Sequence, residues 1–110
     1  MEENEKMLEL KDFEEAKKRV DEVIIPTPLI YSLAFSKECR NMVYIKPENL
    51  QRTGAFKIRG AYNKIMKMDD ESKSRGLIAS SAGNHAQGVA YAAQQLGVKY
   101  NCYACPYSTY

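Results

Sequence analysis

Hydrophobic positions near the start of the chain recur at helical intervals: Phe13, Ala16, Val20 and Val23 or Ile24, with Glu and Lys between them. That spacing predicts a surface helix with one buried stripe. Asp12 stands at its start with Glu15 three residues on, the spacing of a capping box. Pro26 and Pro28 stop the helix and predict an extended segment over 25–30. Ser32 is placed to cap a short helix over 33–39, and the apolar run 42–45 reads as a strand that Pro47 ends. Thr53-Gly54 predicts the start of the next helix, with Ala55, Ile58, Tyr62 and Ile65 as its apolar stripe. Residues 69–75 are polar and read as a loop or a frayed helix end. Residues 76–80 make a short strand, and Ser81-Ala82-Gly83-Asn84 a tight turn. Ala86, Val89, Ala90, Ala93 and Leu96 line one face of a helix that Gly97 ends, and Val98 begins another strand. Strand, turn, helix and strand in that order predict βαβ units, a parallel sheet and the α/β class.

Composition narrows the function classes. The 110 residues suffice for one small domain with a modest core. Hydrophobic residues make up 45% and charged residues 27%, ordinary for a globular chain. The net charge is +2, with basic residues scattered among acids, so no nucleic-acid face is expected. The acidic start has no apolar core of a secretory signal, and no run is long enough to span a bilayer. Three cysteines, at 39, 102 and 105, form no disulfide framework and point to the reducing cytosol. Cys102 and Cys105 make a C-x-x-C. With no second pair and a single histidine, His85, no metal site is expected.

Two short stretches carry candidate chemistry. Lys57 follows Gly-Ala-Phe in the first turn of its helix, where the helix dipole disfavours an ammonium. Phe56 precedes it, and Gly60 and Ala61 share its face and leave space beside it. These are surroundings that activate an amine as nucleophile or base, although the spacing alone also fits a solvated helix lysine. The second stretch, Ser80-Ser81-Ala82-Gly83-Asn84-His85, brings small residues and hydroxyls to a helix N-terminus. Such a turn offers backbone N–H groups to an anion, and it equally fits helix capping by Ser and Asn. It is not a Walker loop: Gly83 and Gly88 have the spacing, but Val89 and Ala90 stand where Lys and Ser/Thr are required. Taken together, an amine and an anion-binding turn suit a carbonyl cofactor and a carboxylate substrate.

At this point K-P-E-N-L-Q-R-T-G-A-F-K-I-R-G-A-Y-N-K-I, followed by S-S-A-G-N-H-A-Q-G-V-A, closely resembles the threonine dehydratases (threonine ammonia-lyases) of the fold-type-II pyridoxal-phosphate family. The resemblance covers about residues 8–99. It implies a cofactor, pyridoxal 5'-phosphate, and deaminating dehydration of L-threonine, and less well L-serine, to a 2-oxo acid and ammonia. It implies that Lys57 is the Schiff-base lysine, later the base for the α-proton. Phe56 would pack beside the cofactor ring and Asn84 would bond its phenolic oxygen. Ser81, Ala82, Gly83 and His85 would receive the substrate carboxylate. Cysteine synthases of the same fold follow the lysine with Asp-Arg, unlike Ile58-Arg59 here. Serine racemases place a second serine in the asparagine loop as a base, where this chain has Ala82. The resemblance further implies a cytoplasmic enzyme of amino-acid metabolism, in isoleucine biosynthesis or threonine catabolism, and a homo-oligomer in its full-length form.

The family fold has two domains, with parallel sheets flanked by helices, and this chain is expected to be an incomplete piece of it. Residues 1–45 would supply the first elements of the large cofactor domain, and 46–99 the start of the small domain. The family's glycine-rich phosphate loop is expected downstream, which leaves a catalytically silent fragment as the alternative. Residues 100–110 depart from the family pattern. Codons for Tyr-Asn-Cys-Tyr-Ala-Cys-Pro, shifted by one base, allow Ile-Thr-Val-Met-Pro-Ala-Pro, so the tail is expected to arise from a frameshift near Lys99.

Overall fold

A computed structural model of the chain describes residues 7–103. Helix α1 is Leu10–Val20; it buries Val20, as its stripe predicts, but leaves Phe13 of that stripe exposed. Its cap lies three residues earlier than expected: Glu9 is the N-cap, and Asp12 closes the capping box by accepting the Glu9 N–H at 2.9 Å. The extended segment after it leads to β1 (Ile30–Tyr31). Helix α2 (Leu33–Cys39) is capped by Ser32, whose hydroxyl accepts from the Phe35 N–H. Arg40, in the left-handed conformation at φ 51°, then turns the chain back into β2 (Tyr44–Ile45). That reversal makes β1 and β2 antiparallel, with Ile30 opposite Ile45.

Helix α3 is Lys57–Met66. It begins later than Thr53-Gly54 suggests, because residues 52–54 form a tight 3₁₀ turn instead. Thr53 and Gly54 both take positive φ, 62° and 69°, which a continuing α-helix forbids. Ala55 is nevertheless buried, ahead of the helix rather than on it. The polar stretch after α3 is a helix, α4 (Asp70–Arg75), because the Asp69 carboxylate caps it through the Ser72 N–H at 2.6 Å. Strand β3 (Leu77–Ser80) leads through a turn to α5 (Asn84–Gln95), then to β4 (Tyr100–Tyr103). β3 and β4 are parallel with Leu77 opposite Tyr100, the predicted βαβ unit. Residues 100–103 thus pair in register with β3; Cys105 and the rest of 104–110 lie outside the described residues.

One core joins these pieces. Val20 and Val23 meet Ile58, Ala61, Tyr62 and Ile65 of α3, with Ala79 of β3 and Val89 and Ala92 of α5. Around it many large side chains stay exposed, among them Leu29, Leu33, Phe35, Met42 and Ile78. The radius of gyration is 17.2 Å, against about 13 Å for a close-packed domain of this length.

Polar residues of the stretch that opens with Lys46-Pro47 fasten the extended segment 23–27. Gln51, 4% exposed, accepts the Ile25 N–H and donates to the Ile25 carbonyl, each at 2.8 Å. Arg52 Nε donates to the Val23 carbonyl at 2.7 Å. Glu48 accepts from Thr27 Oγ1 at 2.6 Å and from Arg59 Nε and Nη2 at 2.8 and 2.9 Å. Arg59's hydrogen bonds draw the Glu48 carboxyl from its ordinary 4.5 down to about 2; burial opposes them and the Thr27 hydroxyl adds to them. A depressed folded value means stability that is full above pH 4.5 and is lost as the pH falls toward 2. Glu48→Gln is therefore expected to lower stability at neutral pH by about 2 kcal/mol. It should also flatten the acid limb of the curve, which urea titrations at stepped pH would measure.

Candidate active site

Lys57 is the first residue of α3, so the helix itself aims the amine. Its Nζ lies 5.2 Å from the Phe56 ring centroid, within the range of a cation–π contact. Lys57 is exposed and Phe56 is 59% exposed, so the described residues leave the amine on the surface rather than enclosing it. Both edge a cleft of about 430 Å³, whose walls include Gly60, Ala61, Ile78 and His85. The space beside Gly60 and Ala61 is thus the space the sequence implies.

The second stretch approaches from α5. Gly83 is the N-cap, without a side-chain cap, and Asn84 and His85 open the helix. The first N–H groups of such a helix have no intrahelical partner and carry its positive end. Ser81 is half-buried; its hydroxyl accepts the Gly83 N–H at 3.3 Å and shapes the turn. Ala82, Gly83, Asn84 and His85 are exposed. Strand β4 holds the turn from behind. Cys102 Sγ donates to the Ser81 carbonyl at 3.3 Å, and Tyr100 Oη to the Ala86 carbonyl at 3.1 Å. Burial above all, with the Cys102 thiol, pushes the Tyr100 phenol up to about 12, so it stays a donor across the neutral range.

What brings the two stretches together is Gly88. A Cβ there would lie 3.1 Å from both the Lys57 carbonyl carbon and the Ile58 nitrogen. Glycine lets α5 lie this close to the backbone that carries the amine without either helix giving way. Asn84 stands four residues before that contact, about 6 Å of helix rise. His85 lines the cleft with Lys57, whereas Ser81, Ala82, Gly83 and Asn84 are not among its lining residues. Gly88 escaped the sequence reading, which weighed it only as part of a phosphate-loop spacing. A glycine inside an otherwise apolar helical stripe signals a close backbone approach.

A family model described as pyridoxal-phosphate dependent enzyme matches residues 20–109. The chain belongs to this family of pyridoxal-phosphate-dependent enzymes. It is similar to the L-threonine ammonia-lyase of Thermotoga maritima, 51% identical over 92 residues, which are 84% of this chain and 23% of that protein. Among solved structures it is similar to serine racemase from Dictyostelium discoideum, with a TM-score of 0.83 and 37% identity over 93% of this chain and 34% of the other. It is also similar to the threonine deaminase of T.th., with a TM-score of 0.73 and 42% identity over 86% of this chain and 33% of the other. The chain therefore spans about a quarter to a third of the length of these relatives, a partial piece of the fold-type-II architecture.

The site fits the family's cofactor by its donor set. A primary amine stands against an exposed aromatic face, at the edge of a cleft whose volume suits a small ligand. From α5, His85 in the first turn lines the same cleft, and Gly88 packs against the backbone of Lys57 and Ile58. No helix among the described residues is long and apolar enough to cross a membrane.

Proposed function

We propose that the chain carries the amine and the carboxylate loop of a pyridoxal-phosphate-dependent L-threonine ammonia-lyase. The observation that carries this reading is the Gly88 contact, which unites the Lys57 turn with the helix of the Asn84 loop. Lys57 would hold the cofactor through Nζ, with Phe56 against its ring and Asn84 bonding its phenolic oxygen. When bound, the cofactor supplies an electron sink for the pair left at the substrate Cα. Lys57 Nζ would take the proton from that Cα. Ser81, Ala82, Gly83 and His85, with the N–H groups opening α5, hold the carboxylate so that the Cα–H bond points at the amine. Loss of the β-hydroxyl and hydrolysis then give 2-oxobutanoate and ammonia.

Similarity alone leaves serine racemisation open. Ala82 argues against it, because a methyl group takes no proton where the racemases place a serine. We assign 1–45 to the large cofactor domain and 46–99 to the small one, fastened across that boundary by the Gln51 and Glu48 bonds. Residues 100–110 are assigned to a shifted reading frame. The full-length enzyme is proposed to be a cytoplasmic homo-oligomer.

A second reading has its own observation. The chain spans a third or less of its relatives, and Lys57, Phe56 and Asn84 are exposed, so it would bind cofactor without turning substrate over. Incubating the protein with pyridoxal phosphate and L-threonine, then assaying 2-oxobutanoate, separates the two. Product is expected from a version extended through the corrected frame. Product from the 110 residues alone would reject the silent-fragment reading, and an extended version inactive on threonine would reject the lyase.

A further inference from the structure

We infer that Glu48 and Arg59 are positioning residues that clamp the turn carrying Lys57, so that its amine meets the cofactor in one orientation; this rests on the reading of Lys57 above. The carboxylate is 18% exposed and the guanidinium 30%, and they meet in a two-point contact with Nε at 2.8 Å and Nη2 at 2.9 Å. A single surface ion pair would fix little, but paired parallel hydrogen bonds define an orientation as well as a distance. The carboxylate is itself held: Thr27 Oγ1 donates to it at 2.6 Å, and Lys46 Nζ donates to the Thr27 carbonyl. Two segments remote in sequence, at Thr27 and Arg59, thus converge on one carboxylate.

The clamp acts on the right turn. The Arg59 N–H donates to the Phe56 carbonyl at 3.1 Å, so Phe56, Lys57 and Arg59 move as one unit. Residues two apart on a helix point to different sides. Glu48 therefore holds this turn away from the cleft, while Lys57 projects at the cleft edge. The Gly88 contact closes the other side, pressing the backbone of α5 against Lys57 and Ile58. The amine is long and flexible, and a turn gripped from both sides limits where its root can go.

Pyridoxal phosphate itself is the probe. The protein is mixed with it, the rate of imine absorbance is followed, and borohydride-reduced label is mapped by peptide. Glu48→Gln and Arg59→Lys are expected to lower both the rate and the share of label on Lys57 by about tenfold. Glu48→Asp, which keeps the charge, should restore part of that loss. Val20→Ala, a core truncation in α1 chosen for equal loss of stability by urea titration, should leave the share of label on Lys57 unchanged. If Glu48→Gln does not fold, Arg59→Lys and Glu48→Asp carry the comparison. Wild type labelled at Lys57 with Arg59→Lys and Glu48→Gln labelled equally well would overturn the clamp alone. So would a Val20→Ala protein that loses labelling to the same degree. Wild type labelled on some other lysine would overturn the reading of Lys57 and the clamp with it.

Discussion

Lys57→Ala is expected to abolish retention of pyridoxal phosphate, and any turnover of L-threonine, while the fold survives. The side chain is exposed and its one aromatic contact is to its neighbour Phe56, so little packing is lost with it. Alanine is also the best helix former, and the site lies at a helix start. Circular dichroism and the urea midpoint should therefore match wild type within about 0.5 kcal/mol. The visible absorbance of the bound cofactor should vanish. Lys57→Arg tests the same point more strictly, because it keeps the charge and the length but supplies no nucleophilic amine. A Lys57→Ala protein that kept the cofactor band and produced 2-oxobutanoate would mean that another group does this work.

Gly88→Ala is the second large effect, and its sign runs against helix propensity. Alanine in a helix interior is favoured over glycine by about 1 kcal/mol. Here the new methyl would sit 3.1 Å from the Ile58 nitrogen and the Lys57 carbonyl carbon, and 3.2 Å from Lys57 Cβ. Two of those atoms are backbone and cannot rotate aside, so α3 and α5 must part. Overpacking of this kind costs about 1–3 kcal/mol. It should also weaken cofactor capture, since the asparagine loop and the amine separate together. Gly60→Ala is the control: it sits in α3, where an added Cβ meets nothing within 4 Å. The same chemical change should there leave stability unchanged or raise it. Urea titration of the two variants gives the comparison, and a Gly88→Ala protein as stable as Gly60→Ala would show that the helices were never so close.

The α/β character, the βαβ unit and the two chemical stretches were legible because each rests on local signals. Ser32 caps α2, and the strand–turn–helix around Asn84 stands where small residues and apolar periodicity put it. Part of what escaped was local, a cap only three residues long, and part was set by contacts between distant segments. Asp69 turns a polar stretch into α4 through a single cap, and the start of α3 is delayed by Thr53, a β-branched residue at positive φ. No local propensity forecasts that conformation; the buried Gln51 and Arg52 bonds on its N-terminal side hold the chain there. Likewise Glu48, Gln51, Arg52 and Arg59 look like surface charge and polarity in the sequence. Their partners lie 11 to 29 residues away, which no periodicity encodes. The place of Lys57 at a helix start was readable, but the contacts that hold that turn were not.

The most direct measurement is borohydride reduction of the protein loaded with pyridoxal phosphate, followed by peptide mapping. A single pyridoxyl tag on Lys57 is the predicted result. A tag spread over the surface lysines, or one fixed at a different lysine, would contradict the account.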